Sequence, residues 1–312
     1  MDKIDDKLLR ILIADSRQPI SQIAAKARVS RDVAQYRISQ LKKSGIIRDF
    51  ITLIDHEKLG FISALFFVSV RAEKEKEFIG YINSLDFVSW AGTHLGFWSL
   101  GMAIYGRNPQ EVEERFQLIF QKYKDWIGNH QFAFYKTTEF YTEKYFGQQK
   151  VLSPKVKLVE HKTDGQDKII LWSLSKKSRM TCVELAGLLH LTPVAVSRRI
   201  AQLEKSGYIK GYSIYINVLK LKLYLFIFFI QNNCLDQRKK LFSYLQLHPR
   251  VSLLLDYIGD PFIEFGIFVK DPYEARAVIQ EIKEAFPDNR IIDFFLTQED
   301  FISFGAPRCV FK

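Results

Sequence analysis

Residues 29–48 (VSRDVAQYRISQLKKSGIIR) and residues 191–210 (LTPVAVSRRIAQLEKSGYIK) align without a gap at an offset of 162. Arg37, Ile38, Gln40, Leu41, Lys43, Ser44, Gly45 and Ile47 face Arg199, Ile200, Gln202, Leu203, Lys205, Ser206, Gly207 and Ile209. Eight identities in twenty positions mark an internal duplication of a unit about half the 312-residue chain. A duplicated chain must fold as two similar halves, so every local reading has to hold twice.

Each copy has the pattern of a recognition helix in a helix-turn-helix. Ser30 and Thr192 are N-caps, because a hydroxyl there accepts from the free N–H groups of the first turn. Pro193 fits the first helical position, where a missing N–H is harmless. Gly45 and Gly207 end the helices. Val33, Ile38 and Leu41 form the expected inward stripe of the first copy, and Val196, Ile200 and Leu203 that of the second. Arg31, Gln35 and Arg37 fill the polar face of one copy, and Ser197, Arg198 and Gln202 that of the other. In each case a shorter helix precedes, Ser21 to Ala27 and Leu185 to Leu189. Thr181 and Glu184 add a capping box to the second.

The net charge of +10 is informative through its distribution. Residues 1–60 carry 12 basic and 8 acidic side chains, and residues 167–216 carry 8 and 3. Residues 61–140, with 8 and 9, and residues 217–312, with 12 and 12, are balanced. The excess falls on the helix-turn-helix regions and the linker between the repeats, the footprint of a phosphate-binding surface. Hydrophobic residues make up 47%, ample for folded cores. Cys182, Cys234 and Cys309 are odd in number and widely spaced, so reduced thiols and no metal site are expected. The first residues, MDKIDDKLLR, are too charged for a signal peptide. The longest apolar run, Leu223 to Ile230, is far short of a membrane span. A cytoplasmic protein without membrane contact is the expectation.

Along the chain, residues 5–14 read as a first helix and residues 46–54 as a wing strand. Residues 61–71 (FISALFFVSVR) form a buried strand. A helix at 73–84, a hairpin around Gly96, a long helix at 109–127 and a strand at 130–139 follow, giving β-α-β-β-α-β. The second half repeats this order, with its hairpin around Gly259 and last strand at 290–296. The fold class is therefore α+β, with two winged helix-turn-helix domains (1–60 and 166–216) alternating with two ferredoxin-like βαββαβ domains (61–141 and 217–298). A linker (142–165) and a tail (299–312) complete the chain. Phe66, Phe67, Leu223, Leu225, Ile227 and Phe229 are too many apolar groups for one covered face, so sheet should pack on sheet. Whether the halves pair as an intrachain pseudo-dimer or between two chains is left open.

Each half resembles the Lrp/AsnC (feast/famine) family of bacterial and archaeal transcription regulators. The residues that carry this are IDDKLLRIL, IAAKARVSRDVAQYRISQLKKSGIIRDF, THLGFWSL and NPQEVEERF in the first half. In the second they are QDKIIL, ELAGLLHLTPVAVSRRIAQLEKSGYIKGY, YIGDPF and KDPYEA. The resemblance implies a DNA-binding regulator whose sheet (RAM-type) domains drive self-association and, in many members, bind an amino acid. Members usually have one winged and one sheet domain, so the tandem form is a departure. Ser30, Arg31, Gln35, Tyr36, Arg37, Lys42, Lys43, Thr192, Ser197, Arg198, Arg199, Lys205 and Lys210 are the expected contacts to double-stranded DNA, Arg37 and Arg199 falling to phosphates as readily as to bases. Thr93, His94, Gly96 and Gly259 mark the effector place. The family's acidic residue after the hairpin glycine is replaced by Ser99 and Phe262, which argues against a conventional amino-acid site. Sirohaem decarboxylases share the double fold. However, the basic pair expected before His94 is absent and the second half has no histidine there, so no enzyme and no cofactor is expected. A ligand sensor that does not bind DNA is the remaining alternative.

Overall fold

A computed structural model describes residues 2–141, 144, 159–231, 234–258, 262–302 and 306–311. They form two units, each drawing on both halves of the sequence. The first comprises residues 2–61, 159–217 and 306–311; the second comprises 62–144 and 218–302 where described.

In the first unit, α1 (Lys3–Ala14), α2 (Ile20–Ala27) and α3 (Arg31–Lys43) lead into β1 (Ile47–Ile54). The repeat supplies α6 (Gly165–Lys176), α7 (Cys182–Leu189), α8 (Pro193–Lys205) and β6 (Ile209–Ile216). The inward stripe of α3 is Ala34, Ile38 and Leu41. Val33 is 39% exposed, which corrects the sequence expectation: the helical repeat that buries Val196, Ile200 and Leu203 places Ala34, not Val33, at the equivalent position. Arg28 and His190 close α2 and α7 in the left-handed conformation, with φ of 61° and 52°, making the tight turn into each recognition helix. The capping box of Thr181 and Glu184 forms in full.

The wing strands do not stand free. β1 and β6 pair antiparallel into a two-stranded sheet. Ile51 faces Ser213 in the register, and these two residues are equivalent under the repeat. The flanking hydrogen bonds are equivalent as well: Asn217 N–H to Ile46 carbonyl and Asp55 N–H to Tyr208 carbonyl, both 2.9 Å. A strand pair centred on equivalent residues has a local two-fold axis at that pair. The halves of this unit are thus related by a pseudo-dyad. Each first helix crosses over, α1 packing on β6 and α6 on β1. Polar bonds fasten the crossing: Ser213 Oγ donates to the Ile13 carbonyl (3.0 Å), and Thr52 Oγ1 donates to the Leu174 carbonyl (2.9 Å). A short helical turn at Arg308–Phe311 buries Cys309 and Val310, and Phe311 packs on this core. Residues 306–311, part of the expected tail, therefore contribute to it.

The second unit contains β2 (Ile62–Val70), α4 (Ala72–Ser84), β3 (Val88–Gly96), β4 (Leu100–Gly106), α5 (Pro109–Tyr123) and β5 (Ile127–Phe140) from the first half. It adds β7 (Tyr224–Gln231), α9 (Leu235–Leu247), β8 (Val251–Tyr257), β9 (Phe262–Val269), α10 (Pro272–Ala285) and β10 (Arg290–Ile302) from the second. The strands lie in the order β3-β4-β2-β5 and β8-β9-β7-β10, and the two runs join edge to edge through β5–β8 and β10–β3 into a closed antiparallel barrel. β10 runs past residue 298 because Glu299 and Asp300 pair with Thr93 and Gly92 of β3.

Alternation explains the continuous apolar strands. On β2, Phe66 turns outward and meets Phe116 of α5, with ring centroids 4.9 Å apart, while Phe67 turns inward onto Phe229 of β7 at 5.4 Å. On β7, Phe228 and Ile230 join the core under α9 and α10, whereas Ile227 and Phe229 join the barrel interior. Strands buried on both faces have no polar side to show. Closure also removes the sheet edges that would otherwise need cover.

Candidate nucleic-acid interface

The two recognition helices are built alike. The Ser30 hydroxyl accepts from Val33 N–H and the Thr192 hydroxyl from Ala195 N–H, each at 3.2 Å. Three small or apolar residues hold each helix against its partner helix, leaving the opposite face to solvent. On α3, Arg31, Gln35, Tyr36, Lys42 and Lys43 are exposed; on α8, Ser197, Arg198 and Lys205 are. Ser30 and Thr192 sit exposed at the helix starts, where backbone N–H groups and the helix dipole favour an anion. The structure therefore brings most of the expected DNA-contact residues onto two solvent-facing helix surfaces of one unit.

Besides the two caps, four of them have work inside the protein. Arg37 pairs with Asp2 and with Asp5, the latter at 3.2 Å. Arg199 pairs with Asp164 at 2.9 Å and Asp167 at 2.8 Å. These arginines tie each recognition helix to the start of its first helix. Asp167 is 1% exposed and also meets His161 Nε2 at 2.9 Å. Backbone N–H groups at the helix starts, and then the arginines, hold the Asp2 and Asp164 carboxyls below their ordinary range. Lys210 lies on the wing strand, 3.0 Å from Asp55, and Lys42 rests 5.6 Å from the centre of the Phe50 ring. A signal of this clamp is present in the sequence. Asp2 and Asp164, Asp5 and Asp167, and Arg37 and Arg199 all recur at the same offset of 162, a sign that a repeated cation has a repeated intramolecular partner.

The expected effector residues lie in the other unit. Thr93, His94 and Gly96 line the β3–β10 seam, and Gly259 lies outside the described residues. Thr93 Oγ1 donates to the Glu299 carbonyl at 3.3 Å. Gly96 has φ of +156°, and a Cβ there would stand 2.8 Å from Phe295 Cβ, so β10 lies hard against it. The Ser99 hydroxyl ties the hairpin to β2 by accepting from Val70 N–H at 2.9 Å. His94 is 6% exposed, with its ring centre 4.1 Å from that of Phe295 and, among the described residues, no hydrogen-bond partner for either nitrogen. Burial lowers its pKa to about 3, so the ring is neutral.

The strand registers identify the counterpart of His94. Phe66 and Phe228 are equivalent; they pair with Met102 and Phe265, which pair in turn with Ala91 and Leu254. His94 thus corresponds to Tyr257, and Gly101 to Glu264. At the second seam the Tyr257 hydroxyl donates to the Glu264 carboxyl, and Tyr257 stacks on Tyr135 at 5.6 Å. Burial raises Glu264 to about 7. The sequence alone does not reveal this pair, because nothing short of strand register brings residues 135, 257 and 264 together inside a barrel.

Comparison with known proteins agrees with this geometry. Residues 1–42 match the AsnC-type helix-turn-helix domain, and residues 163–210 match a winged helix-turn-helix DNA-binding domain. An uncharacterized HTH-type transcriptional regulator of Pyrococcus furiosus is 30% identical over 115 residues, covering 36% of this chain and 78% of that one. The HTH-type transcriptional regulator FL11 of Pyrococcus horikoshii is 28% identical over 120 residues, covering 38% of this chain and 80% of the relative. Over nearly the full length, the crystal structure of the siroheme decarboxylase NirDL shares the fold, with a TM-score of 0.64 at 15% identity, covering 98% of this chain and 94% of that one. Two helix-turn-helix modules with exposed recognition helices, and relatives of this kind, place the chain in the Lrp/AsnC family of DNA-binding transcription regulators.

Proposed function

We propose that one chain reads an asymmetric operator, with the N-terminal ends of α3 and α8 entering major-groove segments of one duplex in inverted orientation. The observation that carries this is the β1–β6 register centred on Ile51 and Ser213. A pseudo-dyad between two recognition helices matches the dyad of duplex DNA. Arg31, Gln35 and Tyr36 in one module face Pro193, Ser197 and Arg198 in the other, so the half-sites differ in sequence. Arg31, Gln35 and Arg198 read base edges. Lys43 and Lys205, equivalent and exposed, hold phosphates, while Arg37 and Arg199 act through position, by fixing each helix. The strand order within each half of the barrel, β3-β4-β2-β5 and β8-β9-β7-β10, supports a ferredoxin-like (RAM-type) unit. Its closure within one chain does what self-association does for a shorter regulator.

Selection from random duplexes with the full-length protein tests this. The expected product is one pair of unlike inverted half-sites bound by a single chain, preferred about a thousandfold over random duplex. Lys43→Ala and Lys205→Ala should each reduce the slope of log affinity against log salt by about one. Two identical half-sites, or two chains per site, would count against the reading.

The full-length likeness to a siroheme decarboxylase raises a tetrapyrrole reading, and the residues around His94 do not fit it. Phe67, Trp90 and Phe295 close over the ring, burial lowers its pKa to about 3, and the ionisable group bonded to Trp90 beside it is an acid, Asp300, at 3.0 Å. A polycarboxylate ligand would need cations there.

A further inference from the structure

The modules differ most in the first turn of the recognition helix. Val194, the second residue of α8, is 63% exposed. Its equivalent in α3 is Asp32, also exposed. A single exposed valine is ordinary on a protein surface; its position makes this one informative. The Thr192 cap and Pro193 at the first helical position fix the backbone on which it stands. Its β-branched side chain has one strongly preferred χ1 in a helix, so its two methyls project in a set direction. Arg198, one turn further along the same face, and Lys205 beyond it are both exposed. The face therefore presents an apolar tip followed by two cations, within a segment carrying 8 basic and 3 acidic side chains.

The DNA major groove offers one apolar feature, the C5-methyl group of thymine, between two rows of phosphates. Resting on the reading of α8 as a groove-entering helix, we propose that Val194 specifies thymine in the second module's half-site by contact with that methyl. The first module does not share this preference at the equivalent position. Its Asp32 carboxylate is an acceptor, suited to the cytosine amino group and repelled by the thymine O4.

The test uses the full-length protein and the duplex obtained by random selection. Each thymidine is replaced in turn by deoxyuridine, which lacks only the methyl, and binding is followed by fluorescence anisotropy at fixed salt. Loss of the methyl at one or two positions of a single half-site should weaken binding about fourfold, the value of one buried methyl. Val194→Ala should bind the thymidine and deoxyuridine duplexes equally at those positions. Its unfolding midpoint should match wild type, since the side chain is exposed. Gln35→Ala should weaken the opposite half-site and leave the deoxyuridine effect intact. The proposal is overturned if deoxyuridine is tolerated throughout, if the half-site weakened by Arg198→Ala contains no sensitive thymine, or if Val194→Ala keeps the discrimination. Each of those results leaves the DNA-binding reading standing. A selection that enriches nothing over random duplex removes that reading and this proposal together.

Discussion

Replacing Glu264 by glutamine should make the barrel more stable near neutral pH and remove part of its pH dependence. Glu264 is 4% exposed, accepts from the Tyr257 hydroxyl, and is raised by burial from 4.5 to about 7. Tyr257, with Tyr135 stacked on it, faces the carboxyl; Phe229 and Leu255 flank it in the strand register. Among the described residues, no cation offsets the burial. A carboxyl whose folded pKa is raised binds its proton more tightly folded than unfolded. The folded state is therefore favoured below pH 4.5, loses stability as pH rises from 4.5 to 7, and loses no more above that. At about 1.4 kcal/mol per pKa unit, the ionisation costs roughly 3 kcal/mol by about pH 8. A glutamine side chain keeps an acceptor for Tyr257 and never ionises. Urea unfolding, followed by the fluorescence of Trp90, Trp98 and Trp126 with Trp172 of the other unit replaced by Phe, measures the difference between Glu264→Gln and its parent. The difference should be within about 1 kcal/mol at about pH 4.5 and grow to about 3 kcal/mol in favour of the glutamine variant at about pH 8. A difference that stays flat from about pH 5 to about pH 8 would refute the reasoning, because it would mean that the buried carboxyl does not titrate in that window.

Arg199→Ala should lower the stability of the winged unit by about 2 kcal/mol, since it strips a cation from Asp167, 1% exposed, and leaves His161 as a weaker side-chain partner; Arg37→Ala should cost less, because its partner Asp2 is 48% exposed. Differential scanning calorimetry of both variants reads this order, and equal losses would contradict it. Phe67→Ala should destabilise the barrel by about 3–5 kcal/mol, as Phe67 touches Phe229, Phe295 and Trp98 in the interior. Gly101→Ala should cost about 1–3 kcal/mol by overpacking, because its Cβ would stand 2.6 Å from Phe67 and 2.9 Å from His94; both are checked by urea midpoints. Thr181→Ala should cost about 1 kcal/mol through loss of the capping box, and a midpoint unchanged from wild type would refute that role.

The sequence by itself determined the local elements. A helix is closed by bonds between near neighbours, so Ser30, Thr181 and Thr192 could announce helix starts, and the spacing of Val196, Ile200 and Leu203 could announce a buried face. The duplication did more, because at the same offset Asp5 recurs as Asp167 and Arg37 as Arg199, although only the tertiary structure showed that they form ion pairs. One stripe was misread, at Val33, where valine and alanine are adjacent and hydrophobicity alone prefers the larger. Only the tertiary structure decided how the halves combine. Strand pairing is long-range, and either an intrachain or an interchain partner satisfies the same apolar pattern. Register then set Ile51 against Ser213, and with it the pseudo-dyad between the recognition helices. Register also turned Phe67 and Phe229 inward and placed Glu264 under Tyr257, in a closed interior where a carboxyl keeps its proton because no bulk water solvates the charge.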